Sequence, residues 1–485
     1  LDRGDGNTAR RIDSVIRRAT WAADWVLVAA LLAYLAWVPM PFGSTPDFAQ
    51  KPLVVPPLLI AAAAVVLRRR PIAPLPNAAR WWLVGAVLFV TIVVLQLVPL
   101  PHGLLRAVSP QSERLWSDAS RVASLAGVVV VDRHPITLDP SDTTLALFRL
   151  MAYASTFVAA ILLLRGGLRR NAVAATIAAT ATFETIYAVR EASLGRYAIW
   201  GWKNTLIFGR PTGTFVNPNH FAHYCAIAIP PALYLCAAAW HRAGTPAMSL
   251  PRRVALLVER RFVLFAAGAL TALACAAGII VSQSRGALLA AAGGIAITGG
   301  LAAGRRHLVT RAASIAIAIG VVFVILMVAF GRPETAARID TASTLNTGGR
   351  AAAALTAFRI ARLFPILGCG LGTFEDVALM VQPGDAATVI NHAHNDYLEV
   401  IATAGIAGFV VSVIPLLAGY IALVRATFGA RAEEISWRRR AFQTAALASL
   451  SIALVHALVD FNFFIPANPV TLAAIAGAAV SLREH

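Results

Sequence analysis

Runs of roughly 20 apolar residues, broken by short arginine clusters, recur along most of this chain. A helical run of that length crosses a hydrocarbon core of about 30 Å. This pattern constrains the fold more than any single motif. Composition agrees with it: 58% of residues are hydrophobic and only 14% are charged, where a soluble domain carries about 25% charged residues. The expected class is all-α, a polytopic membrane protein. No cleavable signal peptide is expected, because the first 18 residues are polar and many more apolar runs follow the first.

Twelve spans are expected, near 21–40, 52–68, 81–100, 145–165, 171–190, 219–240, 261–281, 285–304, 308–330, 397–424, 439–459 and 468–482. The net charge of +18 raises nucleic acid as a partner, but the arginines sit between apolar runs, as the positive-inside rule requires. No nucleic acid is therefore expected. With residues 1–20 as a basic cytoplasmic N-terminus, 26 of the 42 Lys and Arg fall inside. Clusters such as Arg68-Arg69-Arg70 and Arg438-Arg439-Arg440 fall there too, and both termini are expected to be cytoplasmic. The organisation reads as spans 1–9 over 21–330 with outer loops 101–144 and 191–218, a long outer loop 331–396, and spans 10–12 over 397–485. Within the long loop, Leu355, Phe358, Ile360 and Leu363 recur at near-helical spacing beside Arg350, Arg359 and Arg362. An amphipathic helix over 348–363, lying on the membrane surface, is expected. Gly368, Gly370 and Gly372 read as a flexible loop after it. Cys225, Cys236, Cys275 and Cys369 show no zinc or disulfide spacing and read as small apolar filler.

The polar motifs gather in the outer segments. In "HAHNDYLEV", Asp396 and Glu399 fit a capping box at the start of a span. His394 is not explained by capping, and a neutral imidazole there can take a proton from an attacking hydroxyl. In "SQSRGALLA", Arg285 opens a span; it either snorkels to the interface or serves a site. In "FGRPTGTFVNPNHFAHY", Asn219 reads as a helix cap and Arg210 as an outer-face cation, otherwise a solvated loop charge. Asp460 and Asn462 in "VDFNFF" close a span and have strong turn habits. His220, His223, His392 and His394 lack the carboxylate or cysteine company of a familiar zinc site, so no metal is expected. Arginine forks at one face match phosphate oxygens and can stabilise a departing pyrophosphate. Polar groups at one face, rather than at mid-membrane, favour an enzyme over a transporter of lipid-linked sugars. A non-catalytic member of an assembly complex is the third alternative.

In family order, "GRPTGTFVNPNHFA", "SQSRGALLA", "GGRAAAALTAF…PILGCGLGTF", "HAHNDYLEVIATAGIAGF" and "VDFNFFIPAN" resemble the O-antigen ligase family, which includes Wzy-type polysaccharide polymerases. The resemblance covers roughly residues 208–468. It implies a GT-C-like glycosyltransferase of the bacterial inner membrane, working at the periplasmic face without metal or cofactor and inverting the anomeric carbon. It implies an undecaprenyl-pyrophosphate-linked glycan as donor. The acceptor would be a lipid A–core sugar in a ligase, or the growing chain in a polymerase. Membrane lipids and other polysaccharide-assembly proteins are the expected partners. The family's histidine falls on His394 and its important arginines on Arg285 and Arg350. Arg210, Asn217, Asn219, Asn395, Asp396, Tyr397 and Asp460 are expected to bind substrate. Thr403 stands where family members often carry Glu. The stretch 135–155 looks more like polymerase-type members.

Overall fold

The computed structural model describes residues 5–67, 74–129, 131–203, 209–245, 247–303, 349–382, 389–430 and 435–482, with side chains from residue 21 onward. It is a helical bundle. Long helices run over Asp5–Trp37, Asp47–Val66, Asn77–Leu97, Pro140–Leu163, Gly166–Ser193, Pro218–Ala243, Leu250–Val281, Arg285–Ala303, Asp396–Phe428 and Trp437–His456, followed by the shorter Ala467–Ala479. The expected span 308–330 lies outside the described residues. Two short antiparallel ladders, Leu100–Pro101 with Arg133–His134 and Ala198–Ile199 with Trp202–Lys203, brace the connecting segments.

Eight of the described helices are long and apolar enough to cross a membrane, so the expected twelve are not reached among the described residues. Of the four expected spans not counted, 308–330 lies outside the described residues, Trp21–Trp37 is a shorter apolar helix, and the other two have physical causes. Ala467–Ala479 has 13 residues, roughly 20 Å of helix, and nearly all of it is buried inside the protein. Trp437–His456 carries three arginines and several polar residues. Neighbouring helices satisfy its polar groups: Ser449 Oγ donates to Ile227 O and Gln443 Nε2 to Ala479 O. One helix runs from Asp5 to Trp37, so the described basic N-terminal residues continue into the first long helix.

Pro218–Ala243, Trp437–His456 and Ala467–Ala479 form the centre of the largest apolar core, with Tyr224, Ile227, Leu447, Ile452 and Ile475 fully enclosed. Val87, Leu270, Leu273 and Leu289 lie outward and exposed, as lipid-facing residues of a bundle must. Glu184 is buried within this frame. Its carboxylate accepts from the Thr214 backbone N–H at 2.7 Å and the Thr214 hydroxyl at 2.6 Å, which fixes the turn before Pro218–Ala243.

The segment after the long loop is built differently from a flexible connection. A helix occupies 349–363. Ala353, Ala357, Ile360 and Phe364 form its buried face, whereas Leu355, Phe358 and Leu363 are exposed beside Arg359 and Arg362. The expected amphipathic helix is present, and it packs on the protein through one face. Residues 365–370 then cross the Asp396–Phe428 helix where that helix breaks at Gly405, φ 68°. Ile406 N–H donates to Pro365 O and Ala407 N–H to Ile366 O, while Cys369 N–H donates to Ala402 O and Gly370 N–H to Thr403 O. A Cβ on Gly368 would fall on the Thr403 backbone, and one on Gly405 on Ile366 O. These glycines are therefore required by close approach and positive φ; the flexible reading of Gly368 and Gly370 is corrected.

Candidate active site

The segment 391–396 enters the Asp396–Phe428 helix at one end of the bundle. Asn395 is the cap, with Oδ1 accepting from Leu398 N–H at 3.0 Å. The expected capping box on Asp396 and Glu399 is thus displaced, because both carboxylates have tertiary partners. Asp396 accepts from Phe463 N–H at 3.2 Å. Glu399 accepts from His392 Nδ1 at 2.6 Å and from Ala393 N–H at 2.9 Å. The segment is also stitched to the Trp437–His456 helix end. Asn395 Nδ2 donates to Leu458 O, Tyr397 Oη to Leu454 O, and Asp396 N–H to Ala457 O, each at 2.9 Å. Asn395, Asp396 and Tyr397 therefore hold the local frame.

His394 is the exception in this segment. Its φ is 49°, in the left-handed region that non-glycine residues seldom occupy. In an extended stretch, residues 392, 394 and 396 would share one face. His392 and Asp396 line a cavity on one side, whereas His394 turns away from it, with Nδ1 3.6 Å from Asp460 Oδ1. Strained backbone of this kind concentrates at functional sites. The His394 side chain is 31% exposed and that of Asp460 only 1%. At 3.6 Å the contact is an ion-pair distance just beyond a formed hydrogen bond. Burial pushes the Asp460 carboxyl up, but the interaction with His394 and the charges of His220 and His456 outweigh it. The carboxyl is held well below the ordinary carboxylate range.

His220 Nε2 approaches the same Asp460 oxygen at 3.8 Å from the first turn of Pro218–Ala243. That helix is capped by Asn217, whose side chain accepts from Asn219 N–H at 2.9 Å, so the expected cap at Asn219 moves back two residues. Phe461 organises the imidazoles around it. His392 stacks on its ring at 3.9 Å, and His220 and His394 meet it edge-on at 4.6 and 5.1 Å. His223 Nδ1 lies 2.8 Å from His456 Nδ1. Buried Nε2 of His220, Oδ2 of Asp460 and both side-chain polar atoms of Asn462 have no hydrogen-bond partner. A buried polar pocket of this kind calls for water or substrate.

The arginines join this end through a chain of contacts. Arg210 Nη2 donates to Ser282 O at 2.7 Å and reaches Asn219 Oδ1 at 3.4 Å, so it ties two loops rather than standing free. Ser282 precedes Arg285, and a Cβ on the next residue, Gly286, would lie 3.0 Å from His456 Nε2. Arg350 is close enough for its charge to act on His456. Arg285 and Arg350 are exposed, and among the described residues neither has a hydrogen-bond or ion-pair partner. The structure thus brings His394, Asp460 and His220 into contact, and links Arg210, Arg285 and Arg350 to the same end.

On the other side of 391–396 lies a slot of about 440 Å³. Phe89, Leu150, Val400, Phe409 and Val413 line its depth, and Asp142, Glu375 and Asp376 its mouth, with Arg149 and His392. Asp139, Asp142 and Asp376 place carboxylate oxygens within 4.8 Å of one another, the one group of potential cation ligands among the described residues. A larger cavity, about 1200 Å³, opens instead between Pro74–Trp81 and Ala418–Ala430, away from His394.

The sequence grouped His220 with His394 only as a metal site that was set aside; His456 and Phe461 as members of the His394 cluster were missed, and so was the slot. His456 and Asp460 four residues apart in "HALVD" were a usable signal; the slot left none.

These features define a polytopic helical membrane protein with a histidine–carboxylate site at one end. Residues 270–413 match the family model described as O-antigen ligase, which supports the O-antigen ligase family. The match takes in Arg285, Arg350 and His394, and it stops short of Arg210 and Asp460. A search of the curated proteins finds no match.

Proposed function

We propose that this chain is a membrane glycosyltransferase of the ligase/polymerase type. In this reading it transfers a glycan from undecaprenyl pyrophosphate to a sugar hydroxyl at the periplasmic face. The observation that carries the reading is His394, turned by its left-handed backbone against the buried Asp460 carboxyl. Asp460 draws the imidazole proton to Nδ1 and leaves the Nε2 lone pair for substrate. Nε2 accepts the acceptor hydroxyl's proton as that oxygen bonds to the anomeric carbon. The bond from that carbon to the pyrophosphate oxygen breaks, and its electron pair leaves with the lipid pyrophosphate. Arg285 and Arg350, exposed and without a hydrogen-bond or ion-pair partner among the described residues, bind that group and offset its growing charge. Arg210, held by Ser282 and Asn219, fixes the loop facing them. The attack comes from the face opposite the leaving group and inverts the carbon. No step is routed through a metal.

The acceptor is lipid A–core in a ligase and the growing chain in a polymerase. Purified protein with a lipid-linked glycan donor tests the reading: product should form with wild type and fail with His394→Ala of equal thermal stability. Retained transfer by that variant would sink the base assignment, and substrate movement without bond formation would replace the enzyme with a transporter. Surface glycan of a deletion strain separates the acceptors. Single unpolymerised repeats mean a polymerase, whereas full-length glycan stranded on its carrier means a ligase.

A further inference from the structure

Asp460 Oδ1 is a point of convergence. It accepts from the Phe461 backbone N–H at 3.0 Å, with His394 Nδ1 at 3.6 Å and His220 Nε2 at 3.8 Å. The two imidazoles come from different elements, the loop before Asp396–Phe428 and the first turn of Pro218–Ala243. His220 is buried, and its Nε2 forms no hydrogen bond among the described residues, with Asp460 Oδ1 at 3.8 Å. Its ring edge abuts Phe461, so the imidazole cannot swing toward that ring. Among the described residues the Phe461 N–H is the one hydrogen bond to the Asp460 carboxylate and Oδ2 has none, which leaves some freedom about χ2, where wells are broad. An N–H on a second, rigid helix removes that freedom.

We propose that His220 is a positioning residue: it steadies the Asp460 carboxylate from the opposite side, and so fixes the orientation of His394. This rests on His394 being the base of the proposed transfer. His220 touches no substrate in this scheme. It acts on the reaction only through Asp460, by holding its Nε2 edge 3.8 Å from the oxygen that His394 also faces. The Nε2 lone pair on His394 then stays aimed at the acceptor hydroxyl, and a misplacement of about 1 Å in such a group costs about 10²-fold in rate.

The test is a double-mutant cycle on the full-length protein, with transfer from a lipid-linked glycan as readout. His220→Leu should lower kcat about 10²-fold and leave the KM for donor and acceptor unchanged. In an Asp460→Asn background the same substitution should cost less than about twofold, because the carboxylate it served is gone. His220→Gln, which returns an N–H near the Nε2 position, should recover most of the rate. If His220→Leu costs the same in both backgrounds, it acts through folding or a separate contact, and the proposal is overturned. A raised donor KM at constant kcat overturns it too, since His220 would then be binding substrate. His394→Ala is measured alongside: if it retains activity the base assignment and this proposal fall together, whereas an inactive His394→Ala with a fully active His220→Leu removes only the positioning role.

Discussion

The two sides of segment 391–396 differ in almost every property. On the His394 side are buried imidazoles, a buried carboxylate, polar atoms without hydrogen-bond partners, and exposed arginines that have no partner among the described residues. On the slot side are aliphatic and aromatic walls under a mouth of exposed carboxylates. One side has the groups for proton transfer and for holding phosphate; the other has the shape for a hydrocarbon chain, with a mouth whose charge repels phosphate. A single strained residue separates them, because the left-handed φ at His394 breaks the alternation that would have pointed it into the slot. The contrast teaches that chemistry and apolar binding are divided here by backbone conformation rather than by separate domains.

If that division is correct, substitutions on the His394 side lower kcat and those on the slot side raise KM. The largest effect expected is that of His394→Ala, a loss of about 10²–10⁴-fold in kcat with unchanged detergent stability. Asp460→Asn follows at about 10²-fold. Since the folded Asp460 carboxyl lies below its ordinary range, its charge is present throughout neutral and mildly acidic pH and is lost only in strong acid. The wild-type acid limb therefore does not report this carboxylate. Arg350→Lys should cost about tenfold in kcat/KM, since a point charge does not replace a fork; wild-type turnover would make Arg350 a surface residue. Val413→Trp, which fills the slot, should raise the KM for a lipid-borne substrate about fivefold at constant kcat. A kcat effect there would break the division. The smallest effect concerns the mouth. Burial, then the neighbouring Asp139, raise the Asp376 carboxyl, so the mouth loses charge already in mild acid. Slot KM should drift by less than about twofold there, measured against an Asp376→Asn control that abolishes the drift.

The bundle was legible in the sequence because lipid demands long uncharged runs, and described helices cover eleven of the twelve expected spans. What failed was the count by length: Ala467–Ala479 is apolar because protein surrounds it, and a buried helix needs no membrane length. Caps were legible to within two residues. Asn217 and Asn395 took the roles assigned to Asn219 and Asp396, since tertiary partners claimed the other side chains. His394 stood out, but Asp460 lies 66 positions further along and read only as a turn residue. No local rule joins the two. The positive φ at His394 was equally hidden, because histidine gives no signal of it. The glycines of "PILGCG" were visible but misread, since a glycine needed for close approach looks the same in sequence as one needed for freedom.

The crossing at Gly405 has a mechanical consequence. Residues 365–370 fill the gap in the broken helix with four backbone hydrogen bonds, so neither strand of the crossing can shift alone. The 349–363 helix leads directly into one strand and His394 lies a few turns above the other. The end of the 349–363 helix and the first three turns of the Asp396–Phe428 helix are thereby buttoned together as a single piece below the turn that bears His394.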